Sequence, residues 1–371
     1  MKYIELVKGL FTNKHEDRAK QVDPYVSYSI EANRLMFNLI PESVVYDPYV
    51  TFTAQEANST IGLTKLSTNQ TLEYSTDTAT WNTMDITTNI LLNNGDKVYV
   101  RGILSADNSS SNYTQFNMTG KIAASGNCNA IWNYEDLNAP LKAYCGQKMF
   151  YNCTSLITAP ELPATSLANS CYQSMFYGCT SLVTTPALPA TTLAEYCYYY
   201  MFYSCTSLTT APELPATTIA KQCYQRMFYG CTSLTTAPKI LPATTLAYAY
   251  NCYDSMFYNC TSLIHAPELP ATTLADYCYR SMFYNCTSLI TAPELPATSL
   301  ANSCYQSMFS GCSNLNYIKC LATYISVSNC TKNWVNGVSS SGTFVKRPNM
   351  NKWTTGIDGI PSGWTVEDAV L

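Results

Sequence analysis

One line of sequence, written Cys-Tyr-Gln-Arg-Met-Phe-Tyr-Gly-Cys at Cys223, recurs seven times with small changes between Cys145 and Cys312. The first cysteines of consecutive units are 26 residues apart, except for one step of 29, and the second cysteine always follows eight residues after the first. A fixed period between about 20 and 50 residues is typical of solenoids, in which each unit buries a face against its neighbours. The repeat therefore predicts a stack of similar coils.

Each unit has apolar positions that recur at the same place, and we expect them to face the core. They are a Met-Phe pair and the Leu that follows Thr-Ser. The β-branched run at residues 208–214 predicts a short strand with a Pro near its end. Residues 275–283 have a spacing close to 3.6, which predicts a short α-helical or 3₁₀ segment on the convex side. One strand and one short helical segment per 26 residues is the size class of leucine-rich repeats.

The recurring pattern Met-Phe-x-x-Cys-x-x-Leu, followed by a Leu-Pro turn, resembles the BspA-like leucine-rich repeats. These occur in surface proteins of gut and oral bacteria and in proteins of their phages. The resemblance covers residues 145 to 330 and implies adhesion or receptor engagement, with no catalytic residues to carry over. Residues 46–127 also resemble the module that precedes such repeats in gut-phage and gut-bacterial proteins.

The composition of the chain limits the kinds of partner that it is expected to bind. The formal charge is −4, so the chain has no broad basic field and nucleic acid is not expected as a partner. Charged residues make up only 12%, whereas tyrosine alone occurs 30 times, so hydroxyls, amides and rings must cover the surface. Fourteen of the 17 cysteines occupy equivalent repeat positions and are expected to be small buried hydrophobes. Their Cys-x7-Cys spacing is not that of a metal site.

The N-terminal sequence bears on the compartment in which the protein is expected to fold. Glu5 and Lys8 interrupt its apolar residues, so no signal-peptide stretch is apparent, and no run is long enough to insert in a membrane. A surface-type repeat without an export signal is expected of a phage virion protein, which assembles in the host cytoplasm and leaves by lysis. That compartment keeps thiols reduced. The alternative location is the bacterial cell surface.

Four segments follow one another along the chain. Residues 1–45 form a charged arm, since they hold as many charged residues as the 168 residues from Cys145 to Cys312, namely twelve. Within the arm, residues 24–40 are interpreted as an amphipathic element that ends at Pro41, and the arm is expected either to attach to a partner or to pack on its neighbouring domain. Residues 46–127 predict a β-sandwich, residues 128–330 the seven-unit solenoid with its N-terminal cap, and residues 331–371 a C-terminal cap.

The predicted sandwich rests on alternating apolar and polar residues in short runs. Five such runs lie at residues 49–54, 60–66, 70–74, 97–103 and 114–122. Asn94-Gly95 predicts a type I′ hairpin turn, and Trp81 is expected to anchor the core. The fold class is therefore mainly β with short helices.

The sequence contains no recognisable catalytic, cofactor or metal motif. Only two histidines are present, His15 and His265, and no Gly-rich phosphate loop occurs. Glutamates recur at one strand position, and two on adjacent coils would be about 5 Å apart, which is the separation of a retaining glycosidase pair. A solvated polar face is the favoured interpretation of this row. Its members are Glu161, Glu213, Glu268 and Glu294, with Ala187 and Lys239 in other units.

Two tyrosine rows are the preferred ligand-binding surface, because Tyr combines a large rigid ring with a hydrogen-bonding tip. The alternative is that one or both rows are half-buried ladders that join consecutive coils. The first row follows Met-Phe and comprises Tyr151, Tyr177, Tyr203, Tyr229, Tyr258 and Tyr284. The second row follows the first cysteine and comprises Tyr172, Tyr198, Tyr224, Tyr253, Tyr279 and Tyr305. Positions that vary between units could alter specificity: Glu195, Lys221, Arg226, Asp254, Asp276 and Arg280.

The favoured function is a non-enzymatic virion appendage, such as a head or tail fibre. Its arm would contact other virion proteins, and its repeats would bind a host glycan or surface protein. A homo-oligomer, such as a trimer, is compatible with the sequence. A bacterial surface adhesin is the second hypothesis, and a polysaccharide-cleaving solenoid is the third.

Overall fold

The computed structural model describes residues 47–370 and, before them, the backbone of strands β1 (Val26–Glu31) and β2 (Arg34–Leu39). These two strands pair antiparallel. They belong to a unit of their own, Met1–Tyr46, and the remainder of the chain forms one larger unit. The amphipathic element predicted at residues 24–40 is thus a pair of strands over its described part, and the rest of the predicted arm lies outside the described residues.

The larger unit begins with two β-sheets built from alternating sequence. One sheet has the order β11-β10-β3-β8-β5-β6 and the other the order β7-β4-β9. Seven of these nine strands comprise four or more residues. The strands are β3 (Val50–Ala54), β4 (Ser59–Lys65), β5 (Gln70–Ser75), β6 (Asn82–Thr83), β7 (Asn89–Leu92), β8 (Lys97–Leu104), β9 (Gln115–Thr119), β10 (Ile122–Ser125) and β11 (Leu156–Thr158).

Alternation places one face of each sheet in a shared core. In β8, for example, every second residue from Val98 to Leu104 is buried. The rings of Phe52 in β3 and Phe116 in β9 connect the two sheets, with centroids 5.3 Å apart. Phe150 of the first repeat stacks on Phe116 at 5.4 Å, so the same core continues into the repeats.

Three local expectations in this region are wrong. Residues 114–122 form two strands, β9 and β10, in different sheets. The Asn94-Gly95 turn connects β7 to β8, which do not pair with each other, because β7 bonds to β4 and β8 bonds to β3 and β5. Trp81 is half-exposed and packs on Tyr49 and on the guanidinium of Arg101, 3.9 Å from the ring centroid, so it does not anchor the core.

The repeats stack in register upon these sheets. β10 pairs parallel with β11 of the first unit, and a buried 3₁₀ helix, Cys128–Ile131, lies beside the junction with its N-terminus capped by Asn127. From there the Met, Phe, Leu and Cys side chains of each unit lie over those of the next and are fully or almost fully buried. The Phe rings form one column, with centroids 5.4 to 5.8 Å apart. The core-facing set predicted from the sequence is confirmed.

The segment between the two cysteines of each unit is a ribbon of tight turns. In the first unit the N–H groups of Gln147 and Met149 close turns onto carbonyls three residues earlier, whereas those of Lys148 and Phe150 donate to the next unit. This alternation recurs in each later unit of the array. Every backbone N–H in the ribbon thereby has a partner, as burial requires.

This ribbon replaces the helical segment predicted at residues 275–283. Every fourth residue has a left-handed φ, as at Tyr277 (59°), Ser281 (52°) and Asn285 (57°), which no α-helix permits. The described residues contain one helix only, the short 3₁₀ segment Cys128–Ile131. The protein is therefore mainly β with almost no helix.

The predicted strand of each unit is equally short. In most units it is reduced to a single bridge, as between Thr184 and Thr210 or Thr210 and Thr236. A Pro lies two residues after the bridge position and has no N–H to extend the ladder. Longer pairing occurs at the two ends, in β11 and in β12 (Tyr317–Cys320). β12 begins a parallel sheet that continues through β13 (Thr343–Lys346) and β14 (Thr365–Asp368).

The 29-residue unit keeps the register, as the intact Met-Phe and Leu positions predict. The Phe228 N–H donates to the Met256 carbonyl at 3.0 Å, and the rings of Phe228 and Phe257 stack at 5.6 Å. The additional residues protrude near Tyr248, which is 83% exposed. Insertions in repeat proteins usually occupy loops in this way.

Candidate functional site

The tyrosines that follow Met-Phe form a stacked column on the outside of the ribbon, here called the outer column. Consecutive ring centroids are 4.4 to 4.7 Å apart and the rings are nearly parallel. Each ring is half-buried. Its members are Tyr151, Tyr177, Tyr203, Tyr229, Tyr258 and Tyr284, and Ser310 takes the place in the next unit.

Stacking limits what the outer column can bind. A sugar that packs on an aromatic side chain needs an open ring face, but within the column each face is covered by a neighbouring ring. The edges and hydroxyls remain accessible. Burial together with the neighbouring phenols raises the pKa of Tyr203 and Tyr258 to about 12, so these hydroxyls stay protonated at neutral pH. The outer column therefore presents a line of hydrogen-bonding groups.

The tyrosines that follow the first cysteine form an inner column and are 2% exposed or less. They correspond to the ladder alternative and form no part of the exposed surface. A tryptophan flanks the column at each end: Trp132 lies 5.9 Å from Tyr172, and Trp334 lies 6.3 Å from Tyr305. The inner column comprises Tyr172, Tyr198, Tyr224, Tyr253, Tyr279 and Tyr305.

All seventeen cysteines are free and buried. In six consecutive units the second cysteine donates its S–H to the Phe carbonyl of the preceding unit, at 2.9 to 3.1 Å. Burial raises the pKa of the Cys231 thiol to about 12. A thiol that stays protonated is a poor nucleophile and metal ligand. Among the described residues, His, Cys, Asp and Glu form no cluster placed to hold a metal ion.

The glutamate row is exposed to solvent. Glu294 pairs with Lys319 at 2.9 Å, and Glu213 accepts a hydrogen bond from the Lys239 N–H at 3.3 Å. His265 is also exposed and lies in the column of bridge residues, whereas His15 lies outside the described residues. Glu161 and Glu268 share this exposure. The row is thus a solvated face, which is the favoured interpretation of it from the sequence.

Several residues that differ from the repeat pattern lie close together in the middle of the ribbon. Asp254 has no exposed surface, and it accepts two hydrogen bonds from Arg280, at 2.7 and 3.1 Å, and one from Gln225 at 2.7 Å. Arg226, on the preceding coil, contacts the Tyr200 hydroxyl with its Nη1. The variable positions Arg226, Asp254 and Arg280 identified from the sequence thus lie on consecutive coils, where Arg226 and Arg280 are half-buried at the ribbon surface and Asp254 is fully buried.

Three tyrosines near Arg226 form a group that the sequence did not reveal. Tyr196, Tyr199 and Tyr200 are half-buried, and Tyr199 lies 4.1 Å from Tyr200 and 5.6 Å from Tyr196, edge to face in both cases. The sequence signal is the run Cys-Tyr-Tyr-Tyr at Cys197, where two other units, at Cys171 and Cys304, have Cys-Tyr-Gln-Ser. We call Tyr196, Tyr199, Tyr200 and Arg226 the central patch.

Two further observations bear on the class of protein. In the part of the chain that the structure describes, none of the helices has the length and apolar character needed to cross a bilayer. No curated protein and no solved structure matches the chain significantly.

The repeats themselves do match a known family. The pattern of the BspA type leucine rich repeat region, in six copies, matches residues 133–263 and 249–335. This match spans more than half of the chain and coincides with the coils that share the Met, Phe, Leu and Cys columns. The chain therefore belongs to the BspA-type leucine-rich-repeat family.

Proposed function

We propose that this protein is a non-enzymatic adhesion protein whose repeats form a leucine-rich-repeat solenoid with a binding surface on its turn ribbon. One observation carries the proposal: the core columns are constant from unit to unit, whereas other ribbon positions, several of them half-buried at the surface, differ. The third residue after the first cysteine, for example, is Tyr200 and Arg226 in two adjacent units but Ser174, Ser255, Ser281 and Ser307 in others. A constant scaffold with local variation is the organisation expected of a recognition surface.

We further propose that the protein is displayed on a phage particle. Seventeen unpaired, buried thiols support this location, since a chain that folds in the cytoplasm keeps its thiols reduced until the core has closed. The separate unit Met1–Tyr46 would attach to other virion proteins, and the two facing sheets of the larger unit would form a β-sandwich. A bacterial surface adhesin is the alternative.

Localisation distinguishes these alternatives. In a culture that produces the protein, virions banded in a density gradient and washed cell envelopes are probed with an antibody against residues 145–330. Signal in the virion band supports the proposal, and signal confined to the envelopes contradicts it. A chain lacking residues 1–45 should stay folded by circular dichroism yet be absent from the particles. Full incorporation of the truncated chain would place the anchor elsewhere.

Adhesion is tested separately on host cells. The purified full chain, labelled at an added C-terminal tag, should bind intact cells saturably and should release no reducing sugar from their surface polysaccharide. Labelled protein that releases sugar would favour the polysaccharide-cleaving alternative. The double variant Glu268→Gln and Glu294→Gln is the matched control, because only an enzyme that used this pair would lose sugar release.

A further inference from the structure

The central patch differs from the outer column in the accessibility of its rings. The two edge-to-face contacts that join Tyr196, Tyr199 and Tyr200 occupy at most two of the six ring faces. Tyr200 also contacts Tyr203 and Tyr177 of the outer column at tilted angles, 5.3 and 6.4 Å away, and the Arg226 guanidinium lies over its ring, 5.4 Å from the centroid. The rings of Tyr196 and Tyr199 therefore lack the parallel stacking that covers the ring faces in the outer column.

The patch also holds a cation without a carboxylate. Asp254 lies on the next coil, where its backbone carbonyl accepts a hydrogen bond from the Arg226 N–H at 2.9 Å, and both of its carboxylate oxygens are engaged by Arg280. Among the described residues no carboxylate forms an ion pair with Arg226, and its Nε is buried without a hydrogen-bond partner. Two guanidinium groups and one carboxylate leave a net positive charge, which lies on Arg226.

Recognition at this patch must come from side chains. The backbone N–H groups of Tyr199, Tyr200 and Arg226 already donate to carbonyls of the same coil or the next one. A peptide that binds through its backbone would find no free N–H donor here. A sugar ring needs none, since it packs on an aromatic face and is held by a few polar side chains.

We propose that the central patch binds a carboxylated sugar. The sugar carboxylate would accept hydrogen bonds from the guanidinium of Arg226, whose planar fork matches a carboxylate. The apolar face of the sugar ring would pack on Tyr199 or Tyr200. The inference rests on the proposed adhesive function and adds the class of ligand to it.

The repeat supplies variants that should fold. Arg226→Ser and Tyr200→Ser install the residue found at that position in four other units, where Ser adopts the same left-handed φ of 52 to 56°. Tyr199→Gln likewise installs the residue of Gln173, Gln225 and Gln306. Lys148→Ser is the matched control, because it makes the same kind of change at the same repeat position, three units away from Arg226 and outside the patch.

Binding is measured by calorimetry with 3′-sialyllactose and tetragalacturonate as the acidic probes. Lactose and the methyl ester of tetragalacturonate are their neutral counterparts, and hexaglutamate is the acidic peptide. We expect at least one acidic sugar to bind and its neutral counterpart to bind about tenfold more weakly or not at all. Arg226→Ser should weaken binding by about 10- to 100-fold, as expected for loss of a charged hydrogen-bonding group. Tyr199→Gln and Tyr200→Ser should also weaken it, and Lys148→Ser should not.

Several results would overturn the inference. They are failure of both acidic sugars to bind, equal affinity for the neutral sugars, unchanged affinity in Arg226→Ser, and tighter binding of hexaglutamate than of either sugar. Cell adhesion by the same preparation distinguishes failure of the proposed ligand from failure of the proposed adhesive function. A chain that adheres to cells but fails these tests retains the proposed function and has a different ligand or site.

Discussion

The hydroxyl of Tyr224 allows a sharp test of how the inner column is stabilised. Tyr224 is 1% exposed and stacks between Tyr198 and Tyr253, with both centroid distances 5.6 Å. Its hydroxyl has no hydrogen-bond partner among the described residues. Tyr224→Phe would remove that oxygen and keep the ring contacts. A buried polar group without a partner costs about 1 to 3 kcal/mol, so the variant should unfold with a free energy about 1 kcal/mol higher.

The assay is urea unfolding followed by circular dichroism, because a shift of the midpoint at constant slope reports stability alone. Tyr229→Phe is the matched control: it makes the same substitution in the same unit, but at a half-buried outer ring whose hydroxyl is not stranded in the core. The control should lie within about 0.5 kcal/mol of the parent. Destabilisation of Tyr224→Phe by more than about 1 kcal/mol, with the control unchanged, would refute the reasoning and show that the hydroxyl is satisfied.

Three more predictions concern the thiols and the repeat. With Ellman's reagent at pH 8, the folded chain should show no rapidly reacting thiol, since all its cysteines are buried, whereas the chain in denaturant should show seventeen. Several rapidly reacting thiols in the folded chain would contradict this. Burial raises the pKa of the Cys231 and Cys312 thiols to about 12, above their value in the unfolded chain, so the stability they contribute is complete below pH 9 and is lost between pH 9 and 12. The free energy of unfolding, followed by circular dichroism and thiolate absorbance, should therefore decrease between pH 9 and 12. An undiminished free energy of unfolding at pH 11 would disprove this. Deletion of residues 197–222, one whole unit, should leave a folded chain with the same cooperative unfolding, whereas deletion of residues 197–218 should not fold, because it breaks the register of the columns.

The sequence predicted those features of the fold that recur with the repeat. The period, the buried Met-Phe and Leu positions and the intact register of the 29-residue unit follow directly from the repetition. The sequence did not distinguish the two tyrosine columns, although it carries a signal: in the unit at Cys278 the buried residues come in pairs, Cys278-Tyr279 and Met282-Phe283, and each pair is followed by two half-buried residues. That period of four is close enough to 3.6 over nine residues to be mistaken for a helix. It places Tyr224 inward and Tyr229 outward.

The remaining errors have identifiable physical causes. The left-handed residues that define the ribbon are mostly Ser, Tyr, Asn or Arg, so only Gly178, Gly230 and Gly311 indicate them in the sequence. Asn94-Gly95 correctly marks a turn, but the choice of pairing partner for β7 and β8 depends on distant strands. The grouping of Tyr200, Arg226 and Asp254 required the coils to be aligned, since the residues are 26 to 28 positions apart from one to the next.

The alternating hydrogen bonds of the ribbon also determine how the protein would respond to force. Every bond between coils joins one coil to the next, so tension applied to the chain at one end of the stack would load the outermost coil first while its neighbours remain intact. Each released coil would free about 26 residues, or roughly 90 Å of extended chain. The repeats would therefore lengthen in discrete steps under load, with the stack yielding one coil at a time and the coils behind the opened one keeping their structure.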